Sequence, residues 1–352
     1  MANTIETGVS RRVFLATGAT AIAATALTDR RFIPSAHAET GAIGTTMRER
    51  ATRFLSLLDT AQHQAAAFSF DDRTRRAWNF MLGSRFAPGL PLERMTDEQK
   101  DAALDLLSSG LSKDGMTTAE NIMLQQDILR DEWGKGSPDR NRERFSLMIF
   151  GTASETDAWG WRWEGHHLSL SYTLIGDEIV SVTPSAFSSE PNTVPSGPYR
   201  GLVVLPDEES LGRTVERELS AANRRTALIQ ESSFGNILAV AGRENRVQGE
   251  LVGVPLGDLP QAQIDMVTRL IEVYTVDHLP APLASGQAAR IREGDLMSAR
   301  FGWAGANREN ESIYYRLTGD TFLIEFATLR GQPLHQHAVR HDFERNMGKH
   351  RV

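Results

Sequence analysis

The stretch that most constrains the fold is residues 159–172, which reads WGWRWEGHHLSLSY and holds three of the six tryptophans and two of the nine histidines. From Leu168 to Leu174 every second residue is apolar, and serine or threonine stands between them. This period of two is typical of a strand with one buried face. On such a strand His166 shares the apolar face and His167 points the other way. The stretch therefore predicts a β-sheet with a candidate site beside it.

The rest of the chain supplies further strands and several amphipathic helices. The strand pattern predicts a hairpin turn at Gly176-Asp177 and strands at residues 144–149, 168–174, 179–183 and 202–205. A residue order close to a capping box begins at Thr96, where one helix is expected to start. Helical spacing of apolar residues predicts helices at 48–68, 96–107, 117–132 and 211–229.

The order of helices and strands recurs in the second half of the chain. Local matches between the two halves include Ala66 with Ala227, Pro91-Leu92 with Pro255-Leu256, Gly160-Trp161 with Gly302-Trp303, and Tyr172 and Leu174 with Tyr315 and Leu317. Chance similarity between helix–hairpin patterns is the alternative explanation. The sequence predicts an α+β fold in one compact domain, built from two tandem related units at 48–205 and 208–345. Each unit has helices followed by an antiparallel β-meander, and the units pair about a pseudo-twofold axis.

The first 38 residues have the pattern of an export signal. They contain Arg11-Arg12, a mild apolar run that ends at Leu27, and the segment Ser35-Ala36-His37-Ala38. This order resembles a twin-arginine signal that is cleaved near Ala38, and it implies the twin-arginine export machinery as a partner. The alternative is a tail held in the membrane by its apolar run. About 15 mildly apolar residues are too few for the ~20 that span a bilayer, so no stable membrane anchor is expected.

Composition narrows the remaining classes of function. Without residues 1–38 the chain keeps 34 basic and 43 acidic residues, a net charge of -9 that disfavours nucleic acid as a partner. The absence of cysteine suits an oxidising compartment and excludes disulfides, thiolate metal sites and cysteine nucleophiles. We therefore expect a periplasmic protein whose partner is a small-molecule substrate or ligand.

An ordered set of residues resembles a known family. The set comprises residues 159–171, Thr183-Pro184, Phe187, Pro191, Val194, Gly197-Pro198, Gly201, Tyr314-Tyr315-Arg316, residues 323–326, His335, His337, Val339 and Asp342, preceded by Trp78, Arg85, Gly89, Leu90 and Met95. It is similar to the signature of the domain-of-unknown-function family 3500 across nearly the whole mature chain. The resemblance implies a frequently exported protein and supplies no reaction.

Two clusters of histidine are the candidate metal ligands. His166 and His167 form the first cluster, and His335, His337 and His341 form the second, with His350 close behind. Imidazole is the usual ligand for zinc, copper or iron in a protein without thiols. On a strand His335 and His337 point to one face and can chelate together. A hydrogen-bonded core pair and a solvated tail are the alternatives to a shared divalent transition-metal site.

Two carboxylates and two guanidinium groups complete the candidate site. Glu325 interrupts the apolar run of residues 322–326, and an unpaired buried carboxylate needs a cation, a donor or a proton. An ion pair with Arg316 across the hairpin is the alternative for Glu325. Glu164 or Glu325 is a candidate base on a metal-bound water, and Arg162 or Arg316 is a candidate partner for substrate charge.

Two functions follow from these residues. The first is an exported metal-dependent hydrolase that uses the histidine cluster. The second is a periplasmic protein that binds a small ligand in a polar cleft between the two halves and breaks no bond. Metal content separates the two functions.

The export signal gives the first testable prediction. Replacing Arg11-Arg12 by Lys-Lys is expected to keep the full-length chain in the cytoplasm, because the twin-arginine receptor reads that pair. Cell fractionation and the length of the recovered chain measure this. Normal recovery of the processed double variant from the periplasm would contradict the export assignment.

Overall fold

The structure is a computed structural model that describes residues 33–83, 88–131, 137, 139–250, 252–294 and 296–352, without the side chains of 33–39 and 293. Residues 1–32 of the predicted signal peptide lie outside the described residues. Of the expected cleavage region only the backbone of 33–38 is described, at the start of the first helix.

Two predicted long helices are wrong as continuous helices, because each breaks near its middle. Asp59 caps the second piece of the first helix: its Oδ1 accepts the Gln62 N–H at 2.8 Å, and Gln62 Oε1 accepts the Asp59 N–H. Ser220 does the same for the second helix through the Asn223 N–H. The helices of the described residues are α1 (Ile33–Ser56), α2 (Thr60–Ala66), α3 (Asp97–Ser109), α4 (Lys113–Asp131), α5 (Pro206–Glu218), α6 (Ala221–Ala227), α7 (Gln261–Glu272) and α8 (Ala281–Glu293). No helix in this list combines enough residues with enough apolar character to span a membrane.

One mixed sheet collects the strands of the described residues, in the order β1-β3-β4-β5-β7-β13-β12-β11-β10-β8, with β2 on β3, β6 on β5 and β9 on β10. The predicted strand at 202–205 is wrong: Val203 makes an isolated bridge to Thr193, and Pro206 then begins α5. The strands are β1 (Ala67–Phe68), β2 (Leu90–Pro91), β3 (Ser146–Phe150), β4 (Ala158–Gly165), β5 (Leu168–Ile175), β6 (Glu178–Ser181), β7 (Ser185–Phe187), β8 (Leu228–Gln230), β9 (Val254–Pro255), β10 (Arg300–Ala304), β11 (Tyr314–Thr318), β12 (Phe322–Leu329) and β13 (Gln332–Asp342).

The short strand β7 joins the two halves of the sheet. It pairs antiparallel with β5 on one side and with β13 on the other. The α+β class is therefore confirmed as helices packed on a single mixed sheet. The hairpin β4–β5 of the first half and the long strand β13 of the second half therefore lie close together, with only β7 between them.

The two faces of the sheet are covered differently. Trp159, Trp161 and Trp163 alternate along β4 and pack into the core formed with the helices. The opposite face is covered by irregular chain from 69–83 and 231–250, which places Trp78 and Ile237 against sheet residues. Irregular backbone lacks the internal hydrogen bonds of a helix, so its buried N–H groups need acceptors from the sheet.

Glu208, in the first turn of α5, gives a prediction on stability. Its side chain is buried, Oε2 has no hydrogen-bond partner among the described residues, and burial raises the pKa of the carboxyl to about 8. The folded chain therefore holds a proton there that the unfolded chain releases from about pH 4.5 upward. We expect Glu208→Gln to gain stability relative to wild type as pH rises from 5 to 8, by on the order of a few kcal/mol.

Denaturant unfolding at several pH values measures this effect. Glu218→Gln is the control, since Glu218 is exposed at the end of the same helix. An equal pH dependence for wild type and Glu208→Gln would contradict the prediction.

Candidate functional site

His166 and His167 are the two turn residues of the β4–β5 hairpin, whose last ladder pair is Gly165 with Leu168. The prediction that they continue the strand is wrong, because the chain reverses at this point. His167 has φ 73, in the left-handed region that costs a non-glycine residue of order 1 kcal/mol. Both of its backbone groups are held: its N–H donates to Phe80 O at 2.9 Å, and its carbonyl accepts the Ser188 N–H at 2.8 Å.

The two histidine clusters meet beside this turn. His335 and His337 project from the same face of β13, and the bridge between Ser189 and Gln336 holds that strand against the segment after β7. His335 Nε2 lies 2.9 Å from His167 Nε2 and 3.1 Å from His337 Nε2. Three imidazole nitrogens therefore converge on one point from two distant parts of the chain.

The hydrogen-bond partners of the Nδ1 atoms determine whether each Nε2 atom carries a proton or a lone pair. His337 Nδ1 lies 2.7 Å from Asn236 Oδ1, and His335 Nδ1 lies 3.2 Å from Gln332 Oε1. Because these oxygens accept hydrogen bonds, each Nδ1 carries the proton and each Nε2 keeps a lone pair. Lone pairs 3.1 Å apart repel each other unless a cation lies between them. This second set of hydrogen bonds is the arrangement found around metal-binding histidines.

Burial favours the neutral form of His166, His167 and His337. It lowers the pKa of His166 and His167 well below the ordinary range, and it lowers the pKa of His337 to about 3. The positive charge of Arg140 and of the neighbouring histidines acts in the same direction. Neutral imidazole is the form that binds metals. His167, His335 and His337 form a group whose ligand atoms lie within 4.8 Å of one another and can hold an ion.

The other two histidines, His166 and His341, lie outside this three-histidine group. His166 stacks on His167 with ring centroids 3.6 Å apart, and its Nδ1 lies 2.7 Å from Gln126 Oε1 of α4. It belongs with His167 and Glu190 to a second group of ligand atoms. His341 lies further along β13, where Nε2 donates to Ala239 O at 3.0 Å.

Glu164 and Arg162 pair with each other on the coil-covered face of β4. Arg162 Nε lies 2.8 Å from Glu164 Oε2, and both side chains are 1% exposed. The same carboxylate accepts the Asn79 N–H at 2.7 Å, and Arg162 donates to the carbonyls of Thr74 and Arg75. Burial raises the Glu164 pKa to about 7 against the opposing effect of Arg162. The pair therefore fixes segment 69–83, whose Phe80 contacts the ring of His337.

Glu325 and Arg316 face the same side of the second half. Glu325 accepts the N–H groups of Leu238 and Ala239 at 3.0 and 2.7 Å and the Tyr314 hydroxyl at 2.6 Å. Arg316 lies opposite Glu325 in the ladder, but its Nη2 donates to Glu250 Oε2 at 2.8 Å. Glu325 thus fixes segment 231–250, which carries Asn236 to His337.

Three residues of the site have no distinguishing pattern in the sequence. They are Glu190, whose Oε1 lies 3.4 Å from His335 Nδ1, together with Gln126 and Asn236, which bond the Nδ1 atoms of His166 and His337. The carboxylate that adjoins the histidines is thus Glu190, whereas Glu164 and Glu325 belong to neither group of ligand atoms. Each of the three acts across a long separation in sequence, so local spacing carries no signal for it.

The hydrogen bonds predict opposite tautomers within one metal-free protein. His166 and His337 are expected to carry the proton on Nδ1, since both face amide oxygens there. His341 is the internal control and is expected to carry it on Nε2, which donates to a carbonyl. Two-bond 1H–15N correlation spectra of labelled protein distinguish these forms. An Nε2 proton on His337 would contradict the convergence of lone pairs.

Comparison with known proteins agrees with the resemblance seen in the sequence. The family model described as a protein of unknown function, DUF3500, matches residues 40–349, which include every histidine and glutamate of the site. No curated protein and no solved structure matches the chain. The chain belongs to the DUF3500 family.

Proposed function

We propose that this chain binds a divalent transition-metal ion through the Nε2 atoms of His167, His335 and His337. The observation that carries the proposal is the convergence of three imidazole nitrogens, while two of the rings have their Nδ1 atoms directed at amide oxygens. Removing a lone pair from water is unfavourable unless something replaces the lost hydrogen bond. A cation at the point of convergence satisfies all three nitrogens at once.

Zinc suits this donor set best, with copper and iron as the other candidates. Three protein ligands leave an open position on a tetrahedral ion, which distinguishes catalytic zinc sites from closed structural ones. The side chain of His335 is 13% exposed, so one side of the centre meets solvent. A small molecule can therefore reach the fourth position.

We further propose that the centre hydrolyses a small-molecule substrate. An ion held by three imidazoles lowers the pKa of a coordinated water to about 7 and makes a nucleophile available at neutral pH. The protein contributes neutral, oriented imidazoles and a site that is partly closed to solvent. Glu164, Arg162, Glu325 and Arg316 then act as positioning residues through segments 69–83 and 231–250, rather than at the reacting atoms.

The site fits an exported protein that folds before it crosses the membrane. The support is the twin-arginine pattern at Arg11-Arg12 and the lack of cysteine, which suits the periplasm. A centre assembled from distant parts of the chain requires the folded protein, and the twin-arginine signal resembles those of proteins that are exported folded.

We also propose that residues 48–205 and 208–345 are related units about a pseudo-twofold axis. In support, α2, β1 and β3 have the same order and parallel pairing as α6, β8 and β10. The ladders align Ile149, Trp161 and Tyr172 in one half, and Trp303, Tyr315 and Phe326 in the other. These registers favour Trp161, rather than Tyr172, as the counterpart of Tyr315.

Metal content tests the proposed centre. Untagged protein, purified without chelators and reconstituted with Zn²⁺, is expected to hold zinc that survives desalting. His335→Ala removes one of three ligands and is expected to abolish zinc retention at this centre, while Asn236→Ala leaves the ligands and weakens affinity by about 10- to 100-fold. Elemental analysis and competition with a chromogenic chelator measure both effects.

His63→Ala is the matched control, because His63 is exposed on α2 and belongs to neither group of ligand atoms. Hydrolysis is tested with p-nitrophenyl esters and phosphates, and activity is expected to disappear with a chelator and to return with Zn²⁺. Full zinc retention by His335→Ala would overturn the metal centre. Zinc retention without hydrolysis of any substrate in a broad ester, phosphate and amide panel would favour the ligand-binding function.

A further inference from the structure

A second group of potential ligands adjoins the proposed three-histidine centre. His166, His167 and Glu190 each offer a ligand atom, and these atoms lie within 4.8 Å of one another. His167 is the residue that this group shares with His335 and His337. Glu190 and His167 are buried, and His166 is half-buried.

One ion is too small to gather all five side chains. Ligands at 2.0–2.1 Å from one zinc ion lie at most about 4.2 Å from each other. His166 and Glu190 belong to one group, whereas His335 and His337 belong to the other. The arrangement therefore offers two adjacent positions with a common member.

The two ring nitrogens of His167 are in different situations. Nε2 points to the first position, 2.9 Å from His335 Nε2. Nδ1 is buried and has no hydrogen-bond partner among the described residues, although the whole side chain is 0% exposed. The Nδ1 atoms of His166, His335 and His337 each lie within hydrogen-bond distance of an amide oxygen, whereas Nδ1 of His167 does not. A buried polar atom without a partner calls for an explanation, and an ion bound at Nδ1 supplies one here.

The remaining members of the second group are prepared for a cation. His166 directs Nδ1 at Gln126 Oε1, which leaves its Nε2 lone pair free for an ion. Glu190 supplies a negative charge, with its Oε2 3.4 Å from Arg140 Nη1 and its Oε1 3.4 Å from His335 Nδ1. Two imidazole nitrogens and one carboxylate oxygen form a donor set that transition-metal ions accept.

We propose that His166, His167 and Glu190 hold a second divalent transition-metal ion, so that His167 bridges a two-metal centre. Nε2 of His167 binds the first ion and Nδ1 binds the second. The proton that Nδ1 carries passes to the buffer when the second ion binds. This inference rests on the proposed three-histidine centre and adds a second ion beside it.

The stoichiometry of zinc tests the proposal. Untagged protein recovered after signal processing is stripped of metal with a chelator, desalted and titrated with Zn²⁺. Native mass spectrometry counts the ions bound per chain, and equilibrium dialysis is the second measurement. We expect two ions per chain for wild type, and release of a proton at the second binding step. Glu190→Gln and His166→Ala are each expected to bind one ion and to lose that proton release.

His167→Ala is expected to bind no zinc ion tightly, because both groups lose a ligand. Glu209→Gln is the control and is expected to bind two ions, since Glu209 accepts a hydrogen bond from Gln336 of β13 but belongs to neither group. Circular dichroism of each metal-free variant verifies that it is folded. If only one of Glu190→Gln and His166→Ala folds, that variant alone is enough for the test. One ion in wild type overturns the second site and leaves the three-histidine centre standing. No ion in wild type overturns both. Two ions in both Glu190→Gln and His166→Ala also overturn the bridged centre, because the second ion then binds elsewhere.

Discussion

The structure depends on buried carboxylates that accept hydrogen bonds from irregular backbone. One face of the sheet is covered by segments 69–83 and 231–250, in which the N–H groups of Asn79, Leu238 and Ala239 lie outside any helix. Glu164 accepts from the first segment and Glu325 from the second. An unsatisfied buried amide costs about 1–3 kcal/mol, so each carboxylate fixes its segment firmly. The first segment contacts His337 through Phe80 and the second through Asn236, and the His337 ring is oriented as a result.

The candidate site exists only when the two halves of the chain are joined. His167 and His335 are 168 residues apart in sequence, and β7 brings them together by pairing with β5 and β13. The unfolded chain therefore holds no preformed centre. An ion that binds the folded state alone stabilises it in proportion to the logarithm of its concentration over Kd. Folding and the proposed metal binding would thus be coupled, and a bound ion would favour the joined sheet.

Local patterns in the sequence predict much of the sheet and part of the site. The alternation from Leu168 to Leu174 identifies β5, and the spacing of His335 and His337 predicts their common face, because both depend on backbone geometry alone. The position of the hairpin turn escapes such reasoning, because His166-His167 is not one of the Asn-Gly or Asp-Gly pairs that mark two-residue turns. Glu190 has no local signal at all: its importance arises from long-range packing that one sequence does not encode in spacing.

The ends of the sheet have a consequence for assembly. The ten-strand path finishes in β1 and β8, which are two and three residues long and run parallel to their neighbours. An exposed long edge is a template on which a second chain can add a strand, and repeated addition leads to fibres. Two or three residues present too few free N–H and C=O groups for such growth. A wide sheet can therefore remain dispersed at the concentrations reached in a crowded compartment.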